Sequence, residues 1–157
     1  MTAKIDLFAA AAEPMKKWLS ASTAINSGLD PTLAHLVMVR ASQINGCANC
    51  INLHVTEARA HGESEQRLHL LSAWREAPCF SDRERAALGW VDALTRLSEN
   101  PPLDQVREAL AAQFSEEEQV KLTLAINIIN GWNRISVGFG VWADPEEIRE
   151  TAKRVAA

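Results

Sequence analysis

Two cysteines three residues apart, Cys47 and Cys50, and a histidine four residues further on, His54, stand together in "ASQINGCANCINLHVTEARAHG", residues 41 to 62. A pair at this spacing cycles between dithiol and disulfide, ligates a metal, or staples a fold. On a helix, positions i and i+4 are neighbours, so His54 serves Cys50 directly. Cys47 and His54 are seven apart, about 10 Å along the axis, and communicate only through Cys50 or water. A free thiol with a pKa near 8.5 is only about 3% thiolate at pH 7, so a nucleophilic cysteine needs the base or positive environment that His54 supplies. A Cys50 that attacks a peroxide becomes a sulfenic acid, and a second thiol one turn away condenses with it to a disulfide before further oxidation. Gly46 breaks the chain just ahead and puts Cys47 at a helix N-terminus, where free amides and the dipole favour a thiolate. On that ground alone Cys47 would be the reactive sulfur.

The other uses stay open at this point. A structural disulfide over so short a loop would remove only about 2 kcal/mol of chain entropy and would join residues that one helical turn already holds. Zinc would accept Cys47, Cys50 and His54 with His35 or His61 as fourth ligand, but structural zinc sites usually draw on two separate segments and there is no second cysteine pair. Two inert, buried cysteines beside a satisfied core histidine are a further alternative. A thioredoxin-type motif would need a βαβ context, which the periodicity lacks.

The elements that must hold these residues read as helices throughout. Asp30-Pro31 and Asp144-Pro145 pair a capping carboxylate with a proline at the first helical position. Ser81 with Glu84, and Ser115 with Glu118, have capping-box spacing; Gly62 closes a helix, and Pro78 and Pro101-Pro102 mark breaks. Leu33, Val37, Ala41 and Ile44 on one segment, and Leu88, Val91, Leu94 and Leu97 on another, keep helical spacing, and no strand alternation stands out. The prediction is an all-α, single-domain bundle over residues 1–157, with helices near 13–27, 31–45, 47–61, 64–76, 82–98, 103–113 and 115–142 and a short one after Asp144. The 31–45 helix is apolar nearly all round, so it should be central.

With 157 residues, one core needs no staple to fold. The net charge of -4, with both signs scattered, argues against nucleic acid or an anionic membrane as main partner. The stretch from Leu122 to Trp142 is apolar but interrupted by Asn127, Asn130, Asn133 and Arg134, which makes it a buried helix rather than a membrane span. The N-terminus carries no clear signal or transit pattern, and the expected compartment is the reducing cytoplasm.

The run from Leu33 to Leu97, with "SQINGCANCINLH" at its centre, closely resembles the alkylhydroperoxidase D-like branch of the carboxymuconolactone decarboxylase family, and "INGWNRISV" is similar to that family's C-terminal helix. The resemblance implies an all-helical fold that assembles as dimers, trimers or hexamers. It also implies thiol-dependent reduction of hydrogen or organic peroxides without a bound cofactor. Carried over, Cys50 attacks, Cys47 resolves and His54 relays protons, and a dithiol of thioredoxin or lipoyl type re-reduces the pair. This agrees with the i to i+4 geometry and overrides the helix-dipole preference for Cys47.

Two positions depart from the family pattern. The relay glutamate expected twelve residues before the first cysteine is His35, which either replaces it as a base or is a helix histidine bonded to a carbonyl or water. The histidine expected just before the second cysteine is Asn49. Glu57, three residues after His54, either orients that imidazole from the adjacent turn or is a solvated charge or a structural ion pair. His61 reads as a helix C-terminal residue, Cys79 as a packed thiol, and the asparagine stripe as structural, with Trp132 or Arg134 as alternative pocket residues. Five tryptophans and no tyrosine demand large buried apolar surfaces, some between subunits. The competing functions are a non-catalytic zinc- or redox-sensing protein and a decarboxylase-type enzyme sharing only the fold.

Overall fold

The computed structural model describes residues 5–144 and 146. Among them the chain forms eight α-helices and no strand: α1 (Leu7–Ala10), α2 (Ala12–Asn26), α3 (Pro31–Asn45), α4 (Ala48–Ala60), α5 (Glu65–Leu70), α6 (Asp82–Thr95), α7 (Leu103–Ala111) and α8 (Glu116–Phe139). The expected all-helical bundle is therefore what the chain forms. Of the helix expected after Asp144, only Glu146 is among the described residues, and it is helical; the rest lies outside them.

The capping chemistry explains the boundaries. Asp30 accepts from the Leu33 amide at 2.9 Å, with Pro31 at the first helical position. Ser81–Glu84 and Ser115–Glu118 both form complete capping boxes, opening α6 and α8. The expectations fail at the ends. The 64–76 helix stops at Leu70 and tightens into a 3₁₀ turn over Leu71–Ala73, where the Ser72 carbonyl accepts from the buried Arg40 at 3.3 Å. The 82–98 helix stops at Thr95, so Leu97 falls in a second 3₁₀ turn and is 53% exposed rather than on the buried stripe. α8 stops at Phe139 rather than Trp142, because Gly140 takes a left-handed φ of 62°. α1 was not anticipated; Asp6 caps it by accepting from the Phe8 and Ala9 amides.

α3 packs on α4, α6 and α8 and is the axis of the molecule. One side of it, with Leu33, Val37, Met38 and Ala41, meets Ala87 and Val91 of α6 and Leu122, Ile126 and Ile129 of α8 in a core that also contains both Cys47 and Cys50. The other side, with Leu36 and Val39, meets Leu71, Trp74, Phe80 and Leu88. A helix buried on both sides must be apolar nearly all round, and its one charge has to be paired. Arg40 grips Asp92 of α6 through Nε and Nη2 at 2.6 and 3.0 Å, and Arg75 and Trp74 donate to the same carboxylate at 2.6 and 3.3 Å. Burial alone would raise the Asp92 carboxyl, yet Arg40 and Arg75 hold it below the usual aspartate range.

α2 crosses α8 at close range. A Cβ on Gly131 would lie 2.5 Å from Cζ2 of Trp18, whose ring tilts at 55° against Trp132. The Trp132 indole N–H donates to Ser22 Oγ at 2.9 Å, so the two helices are tied as well as packed. No helix among the described residues is long and apolar enough to cross a membrane.

Candidate redox site at the start of α4

Two helix ends meet at the site. α3 finishes in a Schellman turn: Gly46 adopts φ 65°, its amide donates to the Gln43 carbonyl, and the Cys47 amide donates to that of Ser42. Only glycine enters that left-handed turn without strain, and the turn delivers Cys47 to the N-cap of α4. The preceding turn is held from α8. Asn45 Nδ2 reaches the side-chain oxygens of Asn130 and Asn133, each at 2.9 Å, and Asn133 Nδ2 donates to Ser42 Oγ at 3.0 Å. Two members of the asparagine stripe are thus structural ties that set the redox loop, whereas Asn127 is exposed.

Cys47 and Cys50 are joined by a disulfide, and both are buried, at 1% and 3% exposure. The Cys50 amide donates to the Cys47 sulfur at 3.3 Å, so the N-cap position serves the first cysteine as the helix-terminus argument expects. His54 and Cys50 line one cavity of about 360 Å³ together. Its walls include Phe8 of α1, Leu19, Ser22 and Asn26 of α2, Met38 of α3, Leu53 of α4 and Trp132 of α8. Trp132 therefore borders the pocket while also serving the α2–α8 contact; Arg134 does not line it.

His54 Nδ1 lies 2.8 Å from Glu57 Oε2. Burial by itself would raise the Glu57 carboxyl, but the hydrogen bond from His54 and the nearby His35 and His61 rings hold it below the ordinary glutamate range. An ionised carboxylate only accepts, so His54 donates through Nδ1 and its Nε2 is the ring nitrogen not engaged by Glu57. His35 does not line the cavity. Its ring packs on that of His61 at 4.8 Å, and its Nδ1 is buried without a partner. Burial, followed by the repulsion of His61 and His54, pushes the His35 pKa down despite Glu57 and Glu63. His61 caps the end of α4 and pairs through Nδ1 with the Glu57 carbonyl at 2.9 Å. Cys79 is a half-buried free thiol packed against the core formed by Leu36, Leu71, Trp74 and Phe80. Among the described residues no group of three or more His, Cys, Asp and Glu converges in a way that would hold a metal ion.

The sequence from residue 9 to residue 93, more than half of the chain, matches the carboxymuconolactone decarboxylase family. The chain belongs to that family.

Among relatives of this family member, the uncharacterized protein YdfG of Bacillus subtilis (strain 168) is 40% identical over 73% of this chain and 78% of its own length. A solved structure from Agrobacterium tumefaciens, a protein of unknown function called ATU0492 and named a candidate antioxidant defence protein AhpD, superposes with a TM-score of 0.87 at 45% identity. It covers 91% of this chain and 99% of that one. An uncharacterized peroxidase-related protein from Ralstonia eutropha JMP134, with an alkylhydroperoxidase AhpD core, superposes with a TM-score of 0.77 over 93% of this chain and 78% of its own. At 17% identity that likeness speaks to the fold alone. The alkylhydroperoxidase D-like fold of the family is thus the fold of this member.

Sequence reasoning passed over the cavity wall from α1 and α2. The signal was present: Asp6 is a helix cap, and Leu19, Ser22 and Asn26 recur at helical spacing.

Proposed function

We propose that the protein is a thiol-dependent peroxidase, or disulfide oxidoreductase, that reduces hydrogen or organic peroxides at Cys50. The observation that carries this reading is one arrangement: a disulfide-forming pair whose second sulfur shares a largely apolar cavity with a histidine already polarised by a carboxylate. In the reaction the Cys50 thiol gives its proton to His54 Nε2, and the thiolate attacks the peroxide's terminal oxygen. The O–O bond breaks, alcohol or water leaves with a proton from the imidazolium, and Cys50 is left as a sulfenic acid. Cys47 attacks that sulfur, water leaves, and the disulfide forms. A dithiol donor restores the thiols, and no bound cofactor takes part.

Glu57 orients His54 in this scheme and stabilises the imidazolium once the Cys50 proton has arrived, and His35 adjusts the field around Glu57. The reading includes a reducing, cytoplasmic compartment and a homo-oligomeric assembly, supported by the exposed apolar residues Val120 and Leu124 on α8. The test is peroxide turnover. Cys50→Ser should abolish it, and Cys47→Ser should leave a sulfenic acid trappable by a carbon nucleophile. Full turnover in the Cys50 variant would remove the proposal.

A further inference from the structure

The polar residues of α2 that line the cavity shared by Cys50 and His54 are Ser22, Thr23 and Asn26. The first two are already engaged. Ser22 Oγ donates to the Trp18 carbonyl at 2.7 Å and accepts from the Trp132 indole at 2.9 Å, and Thr23 Oγ1 donates to the Leu19 carbonyl at 3.1 Å. Asn26 is different: its Oδ1 is buried and has no hydrogen-bond partner among the described residues. Trp18, His35, Gln43 and Asn52 also hold a buried, unpartnered atom, but none of them lines this cavity. A buried carbonyl oxygen left unbonded weakens a fold, and native proteins rarely keep one without a use. The thiol chemistry gives it none, because Cys50 and His54 stand on α4. α2 packs on α1 and α8, and the cavity of about 360 Å³ lies between α2 and α4.

We propose that Asn26 is a specificity-determining residue, and that the substrate class is an apolar organic hydroperoxide with a hydroxyl group on its carbon skeleton, away from the peroxide. The proposal rests on the peroxidase reading above and adds the substrate's second polar group and the residue that reads it. A molecule that spans the cavity sets its peroxide against Cys50 and His54 on the α4 wall and its far end against α2. There the hydroxyl donates to Asn26 Oδ1. The rest of the wall includes Phe8, Leu19, Leu53 and Trp132, which suit an alkyl or aryl body.

Discrimination at such a site comes from the penalty of a missing bond. A substrate whose far end is plain alkyl fills the cavity and shuts a bare acceptor away from water, and sites built to bond a hydroxyl reject the analogue without one most strongly. A ketone at the same place brings a second acceptor against Oδ1 and fares worse still. Hydrogen peroxide reaches Cys50 without filling the apolar space or touching α2, so Asn26 gives it no advantage. The residue therefore sorts organic hydroperoxides from one another by what they carry at the end that does not react.

The test compares para-diisopropylbenzene monohydroperoxide with its carbinol twin, in which the second isopropyl group carries a hydroxyl. Stopped-flow thiol loss of the reduced protein should show the carbinol reacting about tenfold faster. Asn26→Leu should erase or reverse that ratio, and Asn26→Ala should do the same where leucine unfolds the chain. Equal rates in the unaltered protein, or a carbinol preference that survives both substitutions, overturn the proposal. So does an acetyl twin that reacts faster than the alkyl one, since Asn26 would then be donating. A second readout needs no turnover: calorimetric titration of the diamide-oxidised protein with the diol that the carbinol yields. Asn26→Leu should weaken that binding about tenfold, and an unchanged Kd overturns the proposal. If neither hydroperoxide is reduced while the diol binds through Asn26, the peroxidase reading falls and the recognition site stands.

Discussion

Replacing Glu57 by glutamine keeps an acceptor beside His54 Nδ1 and removes only the charge. In the proposed reaction His54 takes the Cys50 proton and becomes an imidazolium, and the carboxylate 2.8 Å from its ring nitrogen would stabilise that cation. Two unit charges about 4 Å apart at an effective dielectric of about 20 attract by roughly 4 kcal/mol. The two side chains are 13% and 32% exposed, so water screens the pair and about 1–2 kcal/mol survives. That corresponds to a fall of about 5- to 30-fold in the rate of peroxide reduction. Stopped-flow mixing of the reduced protein with cumene hydroperoxide, followed through thiol loss, measures it directly. His54→Asn should be slower still, since the base itself is gone. Adding His35→Glu to the Glu57→Gln protein, which returns a carboxylate to the position where the family resemblance expects one, should recover part of the rate. A Glu57→Gln protein within about twofold of the unaltered one, alongside a slow His54→Asn protein, would refute the carboxylate's role.

Gly131→Ala should destabilise the fold by about 1–3 kcal/mol through overpacking against the Trp18 ring, partly offset by better helix propensity, and thermal melting should show a Tm lower by several degrees. Asp92→Ala strands the buried Arg40 and should cost about 3–5 kcal/mol in urea unfolding; a loss below about 1 kcal/mol would contradict the hub. His35 carries a depressed pKa, so below its ordinary value of 6.5 the unfolded chain binds the extra proton first. Stability should therefore fall as pH drops through that window towards the folded pKa, and His35→Gln should flatten this part of the stability curve.

The core of the fold was written in local chemistry. Asp30-Pro31, the two capping boxes and Gly62 are short-range signals, and each one marks a real boundary. The errors came where tertiary contacts overrode local preference. Leu97 continues a helical stripe on paper, but the chain has left the helix at Thr95; α5 tightens where Arg40 takes the Ser72 carbonyl. The pairing of His54 with Glu57 follows from a three-residue spacing within one helix, so the sequence could suggest it. The packing of His35 on His61 and the closing of the cavity by Phe8 and Trp132 join distant segments. No spacing rule reaches across such separations. Asn49 was visible only as a missing histidine, because its partner is a backbone amide 94 residues downstream.

That separation matters during synthesis. The ties that set the redox loop reach from Asn45 and Ser42 to Asn130 and Asn133, 85 to 91 residues later. At about 5–20 residues per second, a ribosome has made the two thiols on the order of 5–20 s before it makes the helix that walls them in. Through that interval the pair is a naked dithiol on a nascent chain, open to any oxidant or thiol in reach. The cavity that Cys50 shares with His54 is walled in only when α8 docks.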